Sequence, residues 1–247
     1  MSAFFPVGEH SNRGGSTFAH YKISRLSILR PNFDFVPNFP KNFPTMISYY
    51  FNLFGVLMFA ISGALAASDK NMYKDLFGLS FTGFATAVGG GTLRDIILGA
   101  HPIAWVADNN YLIAISIGIV ITVIFRKQLV RIPKILLVFD TIGIAIYTII
   151  GMEKALALNV APLAAVVMGL FSAVMGGVIR DTLINEIPQI FRKEIYATAC
   201  IAGALVYLLL KYTVLPDIWS AVISIVTIIA VRLTAVRFKW SLPKFEV

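Results

Sequence analysis

Long apolar runs with almost no charged residue constrain this chain more than any other feature. Seven runs have about the 20 residues that an α-helix needs to cross the hydrocarbon core of a bilayer, and the third is the shortest. They lie at Ser48–Ala67, Asp75–Leu98, Asn110–Phe125, Lys134–Met152, Ala161–Ile184, Glu194–Tyr212 and Ile218–Val236. Segments of about ten residues with alternating polarity, which a membrane-spanning sheet requires, do not occur. The sequence therefore predicts an all-α integral membrane protein with seven transmembrane helices.

The composition supports a membrane protein and argues against a nucleic-acid partner. Charged residues make up 14% of the chain and hydrophobic residues 57%, whereas a soluble domain carries about 25% charged residues. The formal net charge is +8, but the basic residues stand in short loops between the apolar runs, which is the pattern that sets membrane topology. We therefore expect membrane lipids around the chain and no nucleic acid.

Motifs for catalysis or cofactor binding are missing from the sequence. It contains no P-loop, no Gly-x-Ser-x-Gly segment and no pair of histidines spaced to hold a metal ion. Cys200 is the one cysteine, so the chain cannot form an internal disulfide or a cysteine-based metal site. We predict that the protein is not an enzyme and that it needs no cofactor or metal.

Residues 1–45 differ in composition from the rest of the chain. They contain five prolines and five basic residues, and no apolar run as long as that of a signal peptide. We predict an irregular N-terminal tail that is dispensable. Met46 stands directly before the first apolar run, so translation that begins there is an open alternative.

Basic residues are distributed unevenly between the two sides of the predicted membrane. Twelve lie in the first, third and fifth loops and the C-terminal tail: Lys70, Lys74, Arg126, Lys127, Arg131, Lys134, Arg192, Lys193, Arg232, Arg237, Lys239 and Lys244. The other loops carry only Lys154 and Lys211. Because basic loops stay in the cytoplasm, we expect a multi-pass protein of the inner (plasma) membrane with its N-terminus outside and its C-terminus in the cytoplasm.

A glycine-rich segment of the second predicted helix occurs again in the fifth. The first copy, GFATAVGGGTLRD, spans Gly83–Asp95, and the second, GLFSAVMGGVIRD, spans Gly169–Asp181, 86 residues later. The preceding helices also match, at an offset of 88, with Asn52 opposite Asp140. Identity at glycines and at an Arg-Asp pair, which is rare inside a membrane, indicates an internal repeat.

Each copy of the repeat holds three predicted helices, an odd number. Two such copies must cross the membrane in opposite directions, as in transporters and some channels whose functional sites lie near the midplane where the halves meet. We predict two inverted three-helix repeats at residues 46–129 and 130–213, followed by a seventh helix and cytoplasmic tail at residues 214–247. The seventh helix has no counterpart, and we expect it to pack on the outside of the other six.

The glycine runs of the two copies allow two compatible interpretations. Small residues let helix backbones approach closely in a membrane, so Gly89, Gly90, Gly91, Gly176 and Gly177 can serve packing. Glycine also costs about 1 kcal/mol relative to alanine inside a helix, so these runs favour a kink or an unwound turn. Backbone groups freed by such a turn are tolerated at membrane depth only where they line a wet cavity or meet protein partners.

Two Arg-Asp pairs and one further aspartate are the main charged residues within the predicted helices. Arg94 and Asp95 lie toward the outer face in the predicted topology, and Arg180 and Asp181 toward the inner face. Such charges usually face the bundle interior and mark the path of an ion or substrate; the alternative is a structural ion pair or an anchor at a helix end. Because neighbours on a helix point about 100° apart, we expect each arginine to pair with another helix. Asp140 either pairs with an arginine or lines the path.

Other polar residues of the helices carry weaker signals. Hydroxyls in membrane helices most often bond to their own backbone, and we expect this of five residues. They are Ser62, Thr82, Thr86, Thr141 and Ser172. Glu153 and Lys154 stand near a helix end and are predicted to be interfacial.

The chain resembles the bacterial branch of the trimeric intracellular cation channel family in two motifs: GGGTLRD followed by LGAHP, and MGGVIRD followed by NEIP. The same sequences are also grouped as a putative glycine transporter membrane family. FAISGALAA and GMEKALAL, at the ends of the first and fourth predicted helices, fit the same family. The resemblance extends from about Tyr49 to Arg237. It implies a homotrimer in which each subunit has its own pore, passes mainly potassium, and lines that pore with glycine-kinked second and fifth helices.

By position, the resemblance assigns pore or gating roles to residues of both repeats. They are Gly89, Gly90, Gly91, Arg94 and Asp95 in the first repeat and Gly176, Gly177, Arg180 and Asp181 in the second. Met175 replaces the first glycine of the second run, so the two halves should differ in flexibility. The Lys-Glu-Val motif of animal members, which is associated with lipid binding, is absent, so that regulation is not expected here.

Three functions stay open on the residues alone. A channel for monovalent cations would use glycine carbonyls and Asp140 to replace part of an ion's hydration, with aspartates neutralising the fixed arginines. A secondary transporter for glycine or a similar small zwitterion would hold the substrate carboxylate at a broken helix and an arginine. A structural membrane protein is the third. The resemblance favours the potassium channel.

Overall fold

Helices account for all regular secondary structure in the described part of the chain, which confirms the all-α prediction there. The computed structural model describes residues 46–69, 75–132, 134–192 and 195–240, all of which belong to one unit, Asn38–Val247. Outside the described residues lie the predicted tail, 1–45, and four of the basic residues that predict topology: Lys70, Lys74, Lys193 and Lys244.

Eight α-helices follow one another along the described residues: α1 Met46–Asp69, α2 Leu76–Ile97, α3 Ala104–Ala107, α4 Asn109–Arg131, α5 Ile135–Ala157, α6 Pro162–Leu183, α7 Ala197–Lys211 and α8 Asp217–Arg237. A 3-10 turn, Gln189–Phe191, lies between α6 and α7. Six of the helices, α1, α2, α4, α5, α6 and α8, are long and apolar enough to cross a membrane. They correspond to six of the seven predicted transmembrane helices.

The shortest of the predicted transmembrane helices is not the one that the sequence indicates. α4, the third prediction, has 23 residues, whereas α7, the sixth, has only 15, or about 22 Å at 1.5 Å per residue. α4 is longer because it continues through the basic residues Arg126 and Lys127, which are good helix formers, and Arg126 donates to the carbonyl of Ser68 at 2.9 Å. α7 is shorter because it begins only after Tyr196.

α1 and α5 form the centre of the bundle. Most of the apolar stretch of each is buried, whereas that of α4 is largely exposed. α1 packs against α2, α4 and α5, while α5 packs against α1, α6, α7 and α8. The two glycine-rich helices, α2 and α6, also contact each other. The two segments singled out by the sequence repeat therefore meet beside the central helices.

α2 and α6 approach each other closely at their glycines. Gly90 faces the backbone carbonyl of Ser172, and Gly176 faces that of Thr86, where a β-carbon would lie 2.7 Å from the carbonyl oxygen. Both helices are α-helical without interruption through these glycines. The glycines therefore serve close packing, and the unwound turn that they also predict is absent. The interhelical contact, which a side chain would prevent, offsets the unfavourable helix propensity of glycine.

The buried hydroxyls of the helices divide into two groups. Thr82 and Thr86 donate to the backbone carbonyl four residues earlier, as expected. Ser62 and Thr141 instead accept hydrogen bonds from buried arginines of other helices. The expectation is wrong for these two residues because a buried guanidinium left without acceptors would be costly. The hydroxyl of Ser172 has no hydrogen-bond partner among the described residues.

Candidate functional site: two buried charge clusters

Two clusters of charged side chains lie near opposite ends of α5. The Arg94 cluster consists of Arg94, Asp95 and Lys154, and the Asp140 cluster consists of Asp140, Arg180, Asp181 and Arg232. Every one of these residues is buried. Asp140 and Lys154 are 14 residues apart on α5, which corresponds to about 21 Å along the helix axis. The two clusters are therefore separated by most of the thickness of a bilayer's hydrocarbon core.

Asp95 is the centre of the Arg94 cluster. Its Oδ1 accepts hydrogen bonds from Nε of Arg94 at 2.8 Å and from Nζ of Lys154 at 2.7 Å. Its Oδ2 accepts from the backbone N–H of Ala104 at 3.2 Å. One carboxylate thus faces two cations, so these three side chains together carry an excess of one positive charge.

The expectation about the partner of Arg94 is wrong. Arg94 pairs with its own neighbour, because its long side chain folds back onto the carboxylate of Asp95 in the last turn of α2. Lys154, which is expected near a helix end, does lie in the last turn of α5, but it is buried, with 8% of its surface exposed. The ion pair with Asp95 explains this burial, since an unpaired ammonium inside the bundle would be strongly unfavourable. Glu153 is partly exposed and accepts a hydrogen bond from the hydroxyl of Tyr207 at 2.9 Å.

A cavity of about 320 Å³ adjoins the Arg94 cluster. Charged side chains of both signs line it, together with polar ones: Arg94, Lys154, Glu153, Tyr49, Asn52 and Tyr111. Asn52 donates from Nδ2 to the hydroxyl of Tyr111 at 2.7 Å. Within the described residues, Nη1 of Arg94 has no hydrogen-bond partner. Pro102, Ala104, Ala107 and Ile150 also line it, so the cavity is mainly apolar and carries a few polar and charged groups.

Asp140 is shared between two arginines of different helices. Its Oδ1 accepts from Nη1 of Arg180 at 2.6 Å, and its Oδ2 accepts from Nη2 of Arg232 at 3.3 Å. Arg180 also donates from Nε to Asp181 at 2.8 Å and from Nη1 to the hydroxyl of Ser62 at 2.7 Å. Two carboxylates balance two guanidiniums, so the cluster is neutral. The expectation of a partner on another helix is correct for Arg180, although it binds its neighbour as well.

Arg232 is a residue of the site that the sequence does not predict. We counted it with the cytoplasmic tail, but α8 extends to Arg237 and Arg232 is fully buried within it. Its Nε donates to Oγ1 of Thr141 at 3.0 Å, its Nη2 donates to Oε1 of Gln189 at 2.8 Å, and its guanidinium lies 4.1 Å from the centre of the Tyr196 ring. The signal for it is a lone arginine inside an apolar stretch, which a count of loop charges overlooks.

Gly91 and Gly177 occupy equivalent positions in the two sequence copies, and each faces one charge cluster. A β-carbon on Gly91 would lie 3.9 Å from Nη2 of Arg94. A β-carbon on Gly177 would lie 3.0 Å from the hydroxyl of Tyr196 and 3.6 Å from Oδ1 of Asp140. Each glycine run therefore has two parts. Gly90 and Gly176 lie at the crossing of α2 and α6, and the residues that follow them lie beside the charge clusters.

Gly89 differs from its counterpart in the second sequence copy, which is Met175. Gly89 faces the side chain of Ile179 on α6, which occupies the space where a β-carbon would stand. Met175 is partly exposed. The glycine in the first copy thus leaves space for the terminal methyl group of this isoleucine.

Two aromatic rings occupy the bundle between the clusters. Tyr147 lies midway between Asp140 and Lys154 on α5, and its ring packs edge-to-face against Phe59 of α1 with 5.1 Å between centroids. Both residues are buried. The ten residues that the sequence predicts for the site all lie on α2, α5 and α6. Among the described residues, no group of three or more His, Cys, Asp or Glu side chains could hold a metal ion.

Comparison with known proteins identifies relatives over most of the chain. The model of the family described as "Glycine transporter" matches twice, at residues 49–127 and 137–212. The UPF0126 inner membrane protein YadS of Escherichia coli K12 is 41% identical over 202 residues, which cover 81% of this chain and 97% of the relative. A UPF0126 membrane protein of Vibrio cholerae is 42% identical over 209 residues, which cover 81% of this chain and 84% of the relative. These relatives are described as membrane proteins and not as enzymes.

Solved structures with the same fold are cation channels. The TRIC trimeric intracellular cation channel orthologue from Rhodobacter sphaeroides superposes with a TM-score of 0.73 at 32% identity, covering 79% of this chain and all of the channel. A second TRIC cation channel has a TM-score of 0.72 at 34% identity, covering 81% of this chain and 97% of the channel. These matches confirm the resemblance seen in the sequence motifs. The chain is a multi-pass membrane protein, and it belongs to the family that is described as glycine transporters and that includes the bacterial TRIC trimeric intracellular cation channels.

Proposed function

We propose that the protein is a channel for monovalent cations, mainly potassium, with a path inside each subunit of a homotrimer. The observation that carries this proposal is the pair of buried charge clusters near opposite ends of α5, each tied to one of the glycine-rich helices. The similarity to TRIC cation channels at 32% and 34% identity supports it. The path would follow the contact of α2, α5 and α6. The residues proposed to line or gate it are Gly89, Gly90, Gly91, Arg94, Asp95, Asp140, Gly176, Gly177, Arg180 and Asp181.

The charge balance of the Asp140 cluster is compatible with the passage of cations. Fixed arginines in a pore repel cations unless nearby carboxylates neutralise them. Arg180 and Arg232 lie within hydrogen-bond distance of Asp140, and Arg180 also binds Asp181. At the other end, the carboxylate of Glu153 stands on the wall of the cavity beside the Arg94 cluster. Each end therefore carries carboxylates beside its cationic groups, which offset their repulsion of a cation.

Phe59 and Tyr147 would form the barrier between the two ends. Their rings are buried and in edge-to-face contact, and close-packed side chains leave no room for an ion with its water. We infer that conduction requires these rings to move apart. Gly91 supports this inference, because a β-carbon there would stand 3.6 Å from the ring of Tyr147, so its absence leaves space beside the ring.

We also propose that residues 46–129 and 130–213 are inverted repeats. The family model matches each of them once. The contacts of Gly90 with the Ser172 carbonyl and of Gly176 with the Thr86 carbonyl are reciprocal under the 86-residue offset of the sequence copies. The pairing of α1 with α2 likewise corresponds to that of α5 with α6. Residues 214–247, which include α8, stand outside the repeats.

The proposed orientation places the C-terminus in the cytoplasm and the N-terminus outside the inner membrane. The name of the Escherichia coli relative includes "inner membrane protein". Arg232 and Lys154 are buried and do not belong in the count of loop charges. Without them, eleven basic residues stand on the predicted cytoplasmic side and Lys211 alone on the other, so the bias that supports this orientation persists.

A secondary transporter for glycine or a similar small zwitterion is the second candidate. The observation that favours it is the cavity whose wall carries the cationic groups of Arg94 and Lys154 together with the carboxylate of Glu153. Such a wall can receive the carboxylate and the ammonium of one small molecule at the same time. The description of the family model points in the same direction.

Purified full-length protein in liposomes separates the two candidates. Potassium flux driven by a set voltage and uptake of labelled glycine are measured on the same vesicles, with empty vesicles as the background. A channel gives voltage-driven potassium flux that saturates little with concentration and no concentrative uptake of glycine. Saturable glycine uptake without a comparable potassium flux would replace the channel with the transporter.

A further inference from the structure

Arg232 ties α8 to the Asp140 cluster through four contacts. The guanidinium lies 3.3 Å from Oδ2 of Asp140, 3.0 Å from Thr141 and 2.8 Å from Gln189. It also stands 4.1 Å from the centre of the Tyr196 ring, a distance typical of a cation–π contact. The side chain is fully buried. α8 is therefore not a helix that merely covers the outside of the bundle, because it supplies a charge to the site.

Arg232 decides the net charge of the Asp140 cluster. With it, two guanidiniums face two carboxylates. Without it, Arg180 alone would face Asp140 and Asp181, which leaves an excess of one negative charge in a buried site. A buried uncompensated carboxylate attracts cations strongly, because the surroundings screen it poorly. The presence of Arg232 therefore removes the attraction that this end of the bundle would have for a cation.

The ion pair of Arg232 is also the longest within the two clusters. Its 3.3 Å separation from Asp140 exceeds the 2.6 Å between Asp140 and Arg180, and charge-assisted hydrogen bonds normally measure about 2.7–2.9 Å. Oδ1 of Asp140 is thus held firmly by Arg180, whereas Oδ2 is held more weakly by Arg232. Displacement of α8 would free Oδ2 while leaving the other ion pair intact.

We propose that Arg232 is a positioning residue that excludes cations from Asp140, and that movement of α8 exposes this carboxylate to the permeating ion. The role in conduction rests on the proposed channel function. The exclusion of cations from Asp140 is a property of the cluster itself, and modification of Cys200 measures it without reference to conduction.

Potassium flux through the full-length protein in liposomes tests the role in conduction. Arg232→Gln should raise potassium flux on the order of tenfold, since one negative charge becomes available to concentrate cations, and should shift the reversal potential toward stronger cation selectivity. Arg232→Lys, which keeps the charge but not the fork of hydrogen bonds, should raise flux far less than Arg232→Gln does. Arg237→Gln is the matched control, because Arg237 is an exposed arginine on the same helix. An Arg232→Gln variant with wild-type or lower flux would overturn the proposal.

A double variant separates charge from simple loosening of the structure. Arg232→Gln combined with Asp140→Asn leaves Arg180 opposite Asp181, so the cluster is neutral again. We expect its potassium flux to fall back toward the wild-type value. If loss of packing caused the leak, removing a second partner would leave the flux as high or raise it further, and the proposal would be wrong.

Cys200 provides a measurement that does not depend on conduction. It is the one cysteine of the chain, it is fully buried on α7, and it lies within electrostatic range of both Asp140 and Arg232. Because Cys200 is buried, each rate is compared with that of a neutral methanethiosulfonate of similar size that does modify it. In Arg232→Gln, the ratio of the cationic to the neutral rate should rise severalfold above the wild type, whereas the ratio for an anionic reagent should not. Equal cationic ratios in both proteins overturn the exclusion of cations. A different result would refute the channel function and leave the exclusion of cations valid. In that case no protein would give potassium flux, but the ratio of the cationic to the neutral rate would still be higher in Arg232→Gln than in the wild type.

Discussion

Nζ of Lys154 lies 2.7 Å from Oδ1 of Asp95, and this ion pair joins the last turn of α5 to the last turn of α2 inside the bundle. The same carboxylate oxygen also accepts a hydrogen bond from Arg94. Asp95 therefore pairs with two buried cations. Lys154 pairs with a carboxylate that Arg94 also binds. The two residues of the pair should differ in how much the fold depends on them.

Asp95→Asn should destabilise the protein more than Lys154→Gln does. The first change leaves Arg94 and Lys154 buried without a carboxylate. Breaking a buried ion pair in this way typically lowers the free energy of unfolding by about 3–5 kcal/mol. The second leaves Asp95 paired with Arg94 and should cost well under half as much. Thermal unfolding in detergent measures both, and Asp217→Asn is the control because Asp217 is exposed. Equal losses from the two changes would contradict the central role of Asp95.

Gly90→Ala and Gly91→Ala should affect the stability of the protein differently, although the two residues are adjacent. A β-carbon on Gly90 would clash with the carbonyl of Ser172, whereas on Gly91 the nearest atom is 3.6 Å away, an ordinary contact. We expect Gly90→Ala to lower the free energy of unfolding by about 1–3 kcal/mol through overpacking. Gly91→Ala should be neutral or stabilising by up to about 1 kcal/mol, because alanine favours the helix. The reverse order would mean that α2 and α6 do not cross at Gly90.

Arg94→Ala and Arg180→Ala should change potassium permeation without preventing insertion into the membrane. Each removes a guanidinium that binds an aspartate of the proposed path, so the charge that a passing ion meets becomes more negative. Flux in liposomes and the yield of membrane-inserted protein are measured together. Arg192→Ala is the matched control, since the ion pair of Arg192 with Glu186 is largely exposed. Wild-type flux in both variants would reduce the Arg-Asp pairs to structural anchors.

Tyr147→Ala should raise potassium flux at a cost in stability. The change removes one ring of the proposed barrier and its edge-to-face contact with Phe59, and large-to-small changes of this size in a core typically cost about 3–5 kcal/mol. Tyr147→Phe keeps the ring and should leave flux near the wild type. Phe81→Ala serves as the control, because Phe81 is an exposed ring of α2. Unchanged flux in Tyr147→Ala would place the barrier elsewhere.

The sequence alone was sufficient to predict the features that depend on local patterns. Runs of apolar residues predict the helices because their length must match the bilayer, and α1, α2, α4, α5, α6 and α8 agree with that prediction. The repeated glycines and the Arg-Asp pairs are visible as identities between two segments. Their motifs also indicate the family, which the comparisons confirm. None of this requires knowledge of which helix stands beside which.

Only the tertiary structure decided the partners of the buried charges. The side chains of Lys154 and Arg232 are long, so their partners depend on the rotation and depth of neighbouring helices, which periodicity does not specify. Lys154 meets Asp95 of α2, and Arg232 meets Asp140 of α5, although both basic residues look like loop or interface charges in the sequence. Likewise, the glycines of α2 and α6 remain helical because each helix contacts the other there. Contacts between helices, which local sequence does not encode, determine both outcomes.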